Sequence, residues 1–267
     1  MIEKTLAKEV TLLLKWFKDN SLEANPTKFQ ALLCQSNHSG DVKMNVIIED
    51  VSVSSTPSIT SLGVIIDSHL KFSEHISLLC QKASQQVNAM QRMYRLLDQR
   101  SRLVTYNSFI KSNFNYCPVV WMFANKTDLK KLEGIQIRAL RFVYRDFTSS
   151  KEEILENCKE SSVRIMNLRA LAVEIFKCVN GLNPEYMNEM IEKKSVKYGL
   201  RKPNILVQPR ANTTTYGIRS FRYYGPKLWN MLPDHLKVTT DILEFKALLK
   251  LWSGPTCQCP ACLSFTT

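Results

Sequence analysis

One change of rhythm constrains this chain more than any other feature. From His75 onward the apolar residues Ile76, Leu79, Ala83, Val87, Met90 and Leu97 repeat at about 3.6 residues, the period of one helix face. Before that point the pattern is that of short strands. Phe29 to Gln35 and Lys43 to Glu49 are apolar and β-rich around a Ser-Gly turn near Asn37 to Asp41, and a third strand, Ile59 to Ile66, follows a Ser-rich loop. One helix precedes them, because Ile2, Leu6, Val10, Leu13, Leu14 and Phe17 fall at helical spacing with lysines between. The expected fold is therefore α+β: a small antiparallel sheet with a flanking helix, then a mainly helical bundle.

The bundle can be read helix by helix. Leu103 to Phe114 is one, and Cys117-Pro118 marks a restart with Pro in the first turn. Across Leu129 to Arg145, Leu132, Ile135, Ala139, Leu140 and Val143 cover one side, while Lys131, Arg138 and Arg145 recur every seven residues on another. Ser162 to Val179, ending at Gly181, and Pro184 to Glu192, with Asn183 as its cap, complete the bundle. Ile242 to Trp252 is a last amphipathic helix. Between these, residues 193 to 233 contain Pro203, Pro209, Gly217, Gly225 and Pro226, so the expectation there is an extended, loop-rich stretch rather than a helix. The resulting division is 1–67, 68–192, 193–252 and a cysteine-containing tail at 253–267.

Charge narrows the partners. Lys plus Arg number 36 against 24 Asp plus Glu, a formal +12, which suits an anionic partner such as a phosphate backbone or acidic lipid. The excess is concentrated beyond Glu192, where Lys193, Lys194, Lys197, Arg201, Lys202, Arg210, Arg219, Arg222 and Lys227 meet no acidic residue until Asp234. Tyr198, Tyr216, Phe221, Tyr223, Tyr224 and Trp229 are interleaved with these cations, a composition that lets phosphates pair while bases stack. Phe221 and Trp229 are expected in the core. The apolar runs are too short to span a bilayer, and the amino terminus lacks the features of a secretory signal, so the expectation is an intracellular protein, nuclear or cytoplasmic, with reduced cysteines. Cys34, Cys80, Cys117, Cys158 and Cys178 read as small core residues. Cys257, Cys259 and Cys262 form C-x-C-x-x-C, a weak zinc candidate, since a closed zinc site takes four ligands.

Several strings share an order with a known family. WFKDNSLEANPTKFQALL, with Trp16, Asn20, Leu22, Asn25 and Lys28, resembles the segment that follows the metal-binding aspartates in reverse transcriptases of non-LTR retrotransposons, the jockey-like group especially. SLGVIIDSHLKFSEHI (61–76), YNSFIKSNFNYCPVVW, LEGIQIRALRFVYR, RSFRYYGPKLWNMLPDHLK (219–237) and EFKALLKLW (244–252) resemble later parts of that family in the same order. The resemblance implies the end of a polymerase palm up to residue 67, a thumb-like bundle after it, and the element's carboxy-terminal region beyond. It implies primer-grip residues at Leu62 and Gly63, and Lys28 as proton donor to departing pyrophosphate. RNA and DNA are the implied partners, bound by Lys131, Arg138, Arg145, Arg210, Arg219, Arg222, Tyr223 and Lys227. It further implies polymerase and endonuclease regions upstream.

The chemistry of the family needs clustered carboxylates to hold two Mg²⁺ ions, and this chain has no adjacent Asp pair. Mg²⁺ is thus expected of a complete enzyme and no cofactor of this chain. Neither paired histidines nor a G-x-S-x-G, Walker A or G-x-G-x-x-G motif supports a hydrolase or nucleotide switch. Two rival readings stand beside the polymerase fragment: a non-catalytic nucleic-acid-binding protein derived from a retroelement, and an all-helical protein–protein scaffold.

Overall fold

The computed structural model describes residues 2–35, 42–194 and 205–255. The chain forms two compact units, Met1–Leu78 and Leu79–Thr267, and is mostly helical, with two small antiparallel sheets of two strands each.

In the first unit α1 (Ile2–Asp19) packs on the hairpin of β1 (Asn45–Ile48) and β2 (Val51–Ser54). Strand alternation sends Val46, Ile48 and Val53 inward, where they meet Leu14, with Ala7, Val10 and Phe17 packed alongside. The helix has a second apolar stripe, Ile2, Leu6, Leu13 and Trp16, and this one is exposed.

A single three-stranded sheet was the expectation, and the structure corrects it. Phe29 to Gln35 contributes only an isolated parallel bridge, Ala31 to Ser55. The partner of β1 is Val51–Ser54, which a Ser-rich composition disguises as loop although its valines alternate with serines. Ile59 to Ile66 is not one strand but two: β3 (Ser58–Ser61) turns through Leu62-Gly63 into β4 (Val64–Asp67). Leu62 and Gly63 have φ of 47° and 81°. Positive φ at both central residues gives the mirror-image turn that matches strand twist, and Gly63 is there for that reason rather than inside a strand.

The segment after β4 is organised by one carboxylate. Asp67 Oδ1 accepts the backbone N–H groups of His69 and Lys71, both at 3.1 Å, and Oδ2 accepts that of Phe72 at 2.6 Å. Leu70 and Phe72 both adopt left-handed backbone in wrapping around it. The chain then enters α2 (Ser73–Met93), where His75 is buried and its Nδ1 accepts the N–H of Ile65 at 3.4 Å.

The second unit begins within α2 and is built around α8. A nearly continuous helix follows α2: α3 (Gln99–Thr105), a π-helical turn Tyr106–Lys111 and α4 (Ser112–Phe114). Arg102, only 4% exposed, donates to the carbonyls of Val143, Tyr94 and Leu97, fastening two helix ends to its own. Next come α5 (Pro118–Trp121), with Pro118 in its first turn as expected, α6 (Lys126–Tyr144) and α7 (Lys151–Asn157). Then α8 (Val163–Val179) runs through the core, followed by α9 (Glu185–Asn188), α10 (Phe221–Met231) and α11 (Ile242–Leu251). Leu168, Leu171, Ile175 and Phe176 of α8 meet Leu228 and Trp229 of α10 and Phe245 and Leu249 of α11, and Phe176 stacks on Phe245 at 4.3 Å.

Three further expectations change here. Residues 221–231 are helical despite Gly225 and Pro226. Gly225 lies so close to α8 that a Cβ would stand 2.2 Å from Ile175 Cδ1, so tight packing on the core replaces intrinsic propensity. Asn183 does not cap the next helix; its amide donates back to Glu174 O and Cys178 Sγ, and α9 is a single turn starting after Pro184. Of the five scattered cysteines only Cys178 is buried, while Cys34 and Cys117 are exposed. Trp229 is buried and Phe221 packs against the core, as expected.

Burial holds His75 neutral by lowering its pKa from 6.5. A depressed folded value means its contribution is complete above about pH 6.5 and is lost as the pH falls from there towards the folded pKa. The protection factor of the Ile65 amide, its exchange rate taken relative to the intrinsic rate at each pH, should therefore fall on mild acidification, and a His75→Asn variant should lose that pH dependence.

Candidate nucleic-acid interface

In the first unit two features identified from sequence are presented to solvent. Asn25 caps a 3₁₀ turn, Pro26–Lys28, by accepting the Thr27 N–H at 3.0 Å, and this places Lys28 at the turn's end. The Lys28 side chain is exposed and has no carboxylate partner among the described residues. Asn20 closes α1 by donating from Nδ2 to Trp16 O at 2.8 Å, so the asparagines of the Trp16 to Lys28 string hold its backbone.

The Leu62-Gly63 tip is the more unusual feature. Leu62 is 87% exposed and holds a left-handed conformation that costs a side-chain-bearing residue roughly 1–2 kcal/mol. The side chain at this strained position is apolar and exposed to solvent at the tip of the hairpin. The tip stands on a rigid base, since Asp67 and His75 fix both ends of β4 and its exit. Asp67 accepts three backbone N–H groups of the segment that follows it. Among the described residues no group of three or more His, Cys, Asp or Glu side chains is placed to hold a metal.

In the second unit the basic stripe on α6 is real but uneven. Lys131 pairs with Asp128 at 2.8 Å, and Asp128 is itself buried. Arg138 is exposed. Arg145 lies just beyond the helix, in left-handed backbone, with its guanidinium 5.9 Å from the centre of the Tyr94 ring. Tyr94 bonds Arg95 and lies near Arg145, and both lower its pKa. Arg210 is exposed on the extended segment that Asn230 ties to α10 through two 2.9 Å bonds with the Leu206 backbone. Arg219 precedes α10, Arg222 is exposed in its first turn, and Tyr223 and Lys227 share a face at i, i+4 spacing. Lys227 lies 5.9 Å from the Tyr224 ring. Cys257, Cys259 and Cys262, with Tyr198 and the lysines and arginine from 197 to 202, fall outside the described residues.

The structure also assembles a site that sequence reasoning missed. A cavity of about 510 Å³ opens where the beginnings of α6, α7 and α8 meet the segment before α10 and residues 253–255. Its wall holds five cations, Lys126, Lys130, Lys151, Arg164 and Arg219, against two carboxylates, Glu133 and Glu152. Lys151 is paired with Glu133. Lys126, Lys130 and Arg219 have no ion-pair partner among the described residues. Burial pushes the Arg164 guanidinium's pKa down, with Glu133 opposing. Phe123 and Tyr224 stand edge to face at 5.4 Å along the wall, and Asn167, 4% exposed, has a carboxamide oxygen without a hydrogen-bond partner. Of these residues only Arg219 and Tyr224 carried a sequence signal, because the others converge from helices far apart in the chain.

The cavity wall at α8 is held by Gln136, which is fully buried in α6. Its Nε2 donates to Ser161 O at 2.8 Å and to Tyr106 Oη at 3.2 Å, while Oε1 accepts the Val163 N–H at 3.0 Å. Gln136→Leu should strand the Val163 donor and the Tyr106 hydroxyl at a cost of about 2–3 kcal/mol, measurable as a reduced denaturation midpoint with unchanged slope.

No helix among the described residues is long and apolar enough to cross a membrane. Comparison with protein-family models, with curated proteins and with solved structures finds no match to this chain.

Proposed function

We propose that this chain is part of a non-LTR retrotransposon reverse transcriptase, the part that grips template–primer duplex while catalytic aspartates are supplied by sequence it does not contain. The observation that carries this reading is the Leu62-Gly63 tip: a strained, exposed apolar residue beside a glycine, on a hairpin braced at its base. In the resembled family this string lies at the primer grip, where main chain approaches the primer end. The outward apolar stripe of α1, Ile2, Leu6, Leu13 and Trp16, supports a further polypeptide surface against this unit. In the same reading the second unit is the thumb, and its exposed Arg138, Arg219 and Arg222 follow the phosphate backbone.

A non-catalytic nucleic-acid-binding protein is the second reading. The two readings share the binding surface and differ in whether the upstream reading frame encodes the aspartates.

The purified chain should bind an RNA–DNA hybrid with an affinity that falls steeply as salt rises. Arg219→Ala with Arg222→Ala should reduce the log–log salt slope by about two. Binding that ignores salt, or its absence, would overturn the proposal. Given Mg²⁺ and nucleotides, the chain alone should incorporate nothing on a primed template. Leu62→Asn should relieve about 1 kcal/mol of backbone strain and raise the melting temperature, yet weaken hybrid binding. A variant that is more stable and binds as well would remove Leu62 from the grip.

A further inference from the structure

We infer that the cavity at the start of α8 is a binding pocket for a nucleoside phosphate, either a free nucleotide or the phosphorylated end of a single strand. This goes beyond a duplex grip, which needs an exposed track and no enclosed space.

Two observations select the ligand class. The wall carries a surplus of three positive charges, more than a single carboxylate requires and well matched to a phosphate dianion. Arg164 is the inner cation, half-buried and depleted of solvent, and Lys126 and Lys130 stand exposed along α6 at i, i+4 spacing. The rest of the wall is apolar and aromatic, with Phe123 and Leu168 among its residues, and suits the faces of a base. At about 510 Å³ the cavity falls within the range usual for small-molecule sites.

The pocket is also built with unusual closeness on its far side. Gly254 has φ of 105°, and a Cβ there would stand 2.6 Å from Ile165 Cδ1, so residues 253–255 lie directly against α8. Arg169 holds that strap by donating from Nε to Trp252 O at 3.0 Å, with Nη2 bonded to the same oxygen.

The test is titration of the whole chain with adenosine 5′-monophosphate, adenosine, inorganic phosphate and decanoate. Adenosine 5′-monophosphate should bind at least about tenfold more tightly than any of the other three, because only it uses both halves of the site. Competition by a 5′-phosphorylated trinucleotide identifies a strand end as the natural source, and its failure to compete identifies a free nucleotide. Arg164→Gln and Lys130→Gln should each weaken adenosine monophosphate binding about tenfold while hybrid binding stays unchanged. Phosphate or decanoate binding as well as the nucleotide, or nucleotide affinity unmoved by both variants, would overturn the assignment. Should a variant fail to fold, the unmodified chain still decides: the nucleotide should protect Lys126 and Lys130 from acetylation, and absence of protection refutes the pocket. Nucleotide binding without hybrid binding would remove the grip proposal and leave this one standing.

Discussion

The second unit depends on a buried amide. Gln136 sits where α6 must pass the π-helical turn and the beginning of α8, a place where the Tyr106 hydroxyl, the Ser161 carbonyl and the Val163 N–H meet in an apolar interior. Each of those groups would cost the full penalty of desolvation if left unpaired. One carboxamide serves as both donor and acceptor there, and no apolar residue of the same shape could. The consequence reaches past stability. The start of α8 is fixed in place, so Arg164, Ile165 and Asn167 face the cavity from a rigid wall. Burial raises the Tyr106 hydroxyl pKa, with the Gln136 hydrogen bond opposing, so the hydroxyl stays protonated within the network.

The first unit solves a comparable problem with charge. A tight excursion follows β4, and its backbone N–H groups have no strand or helix to receive them. Asp67 gathers three of them, and His75 gathers a fourth from Ile65. Residues that resemble a family signature, Gly63, Asp67, Phe72 and His75, are thus one mechanical unit that aims a hairpin tip. Their spacing reflects turn geometry. At that tip stands Leu62, whose apolar side chain is exposed.

What could be read in advance follows the range of the interactions involved. The change of period at His75, the amphipathic face of α6, the proline start at Pro118 and the glycine stop at Gly181 are local, and all are found. The hairpins were misread because serine-alternating Val51–Ser54 lacks the density of apolar residues that marks a strand, and because Leu62 occupies a turn position that favours glycine or asparagine. Residues 221–231 were read as loop from Gly225 and Pro226, whose penalties are real in isolation. Here α8 approaches so closely that only a glycine fits, and contact with Trp229 and Leu228 outweighs the propensity. The cavity was invisible because its wall is assembled across more than a hundred residues of chain, and no periodicity reports where helix ends converge.

Charge shows most clearly why composition underdetermines a surface. The unbroken run of cations beyond Glu192 suggested that the anion-binding capacity lies there. Geometry redistributes it. Lys111, Lys131, Lys151, Lys177 and Lys237 are each held by a carboxylate, three of them at i, i+3 spacing. Lys126, Lys130 and Arg138 are not, although they belong to a segment rich in acids, because those acids are spent elsewhere: Asp128 on Lys131 and Glu133 on Lys151. Each of these part-buried pairs removes a cation from the field an approaching phosphate would meet. The effective positive surface is therefore set by which side chains remain uncompensated after folding. Among the described residues of the second unit, three such side chains, Lys126 and Lys130 at the start of α6 and Arg219 before α10, line the same cavity.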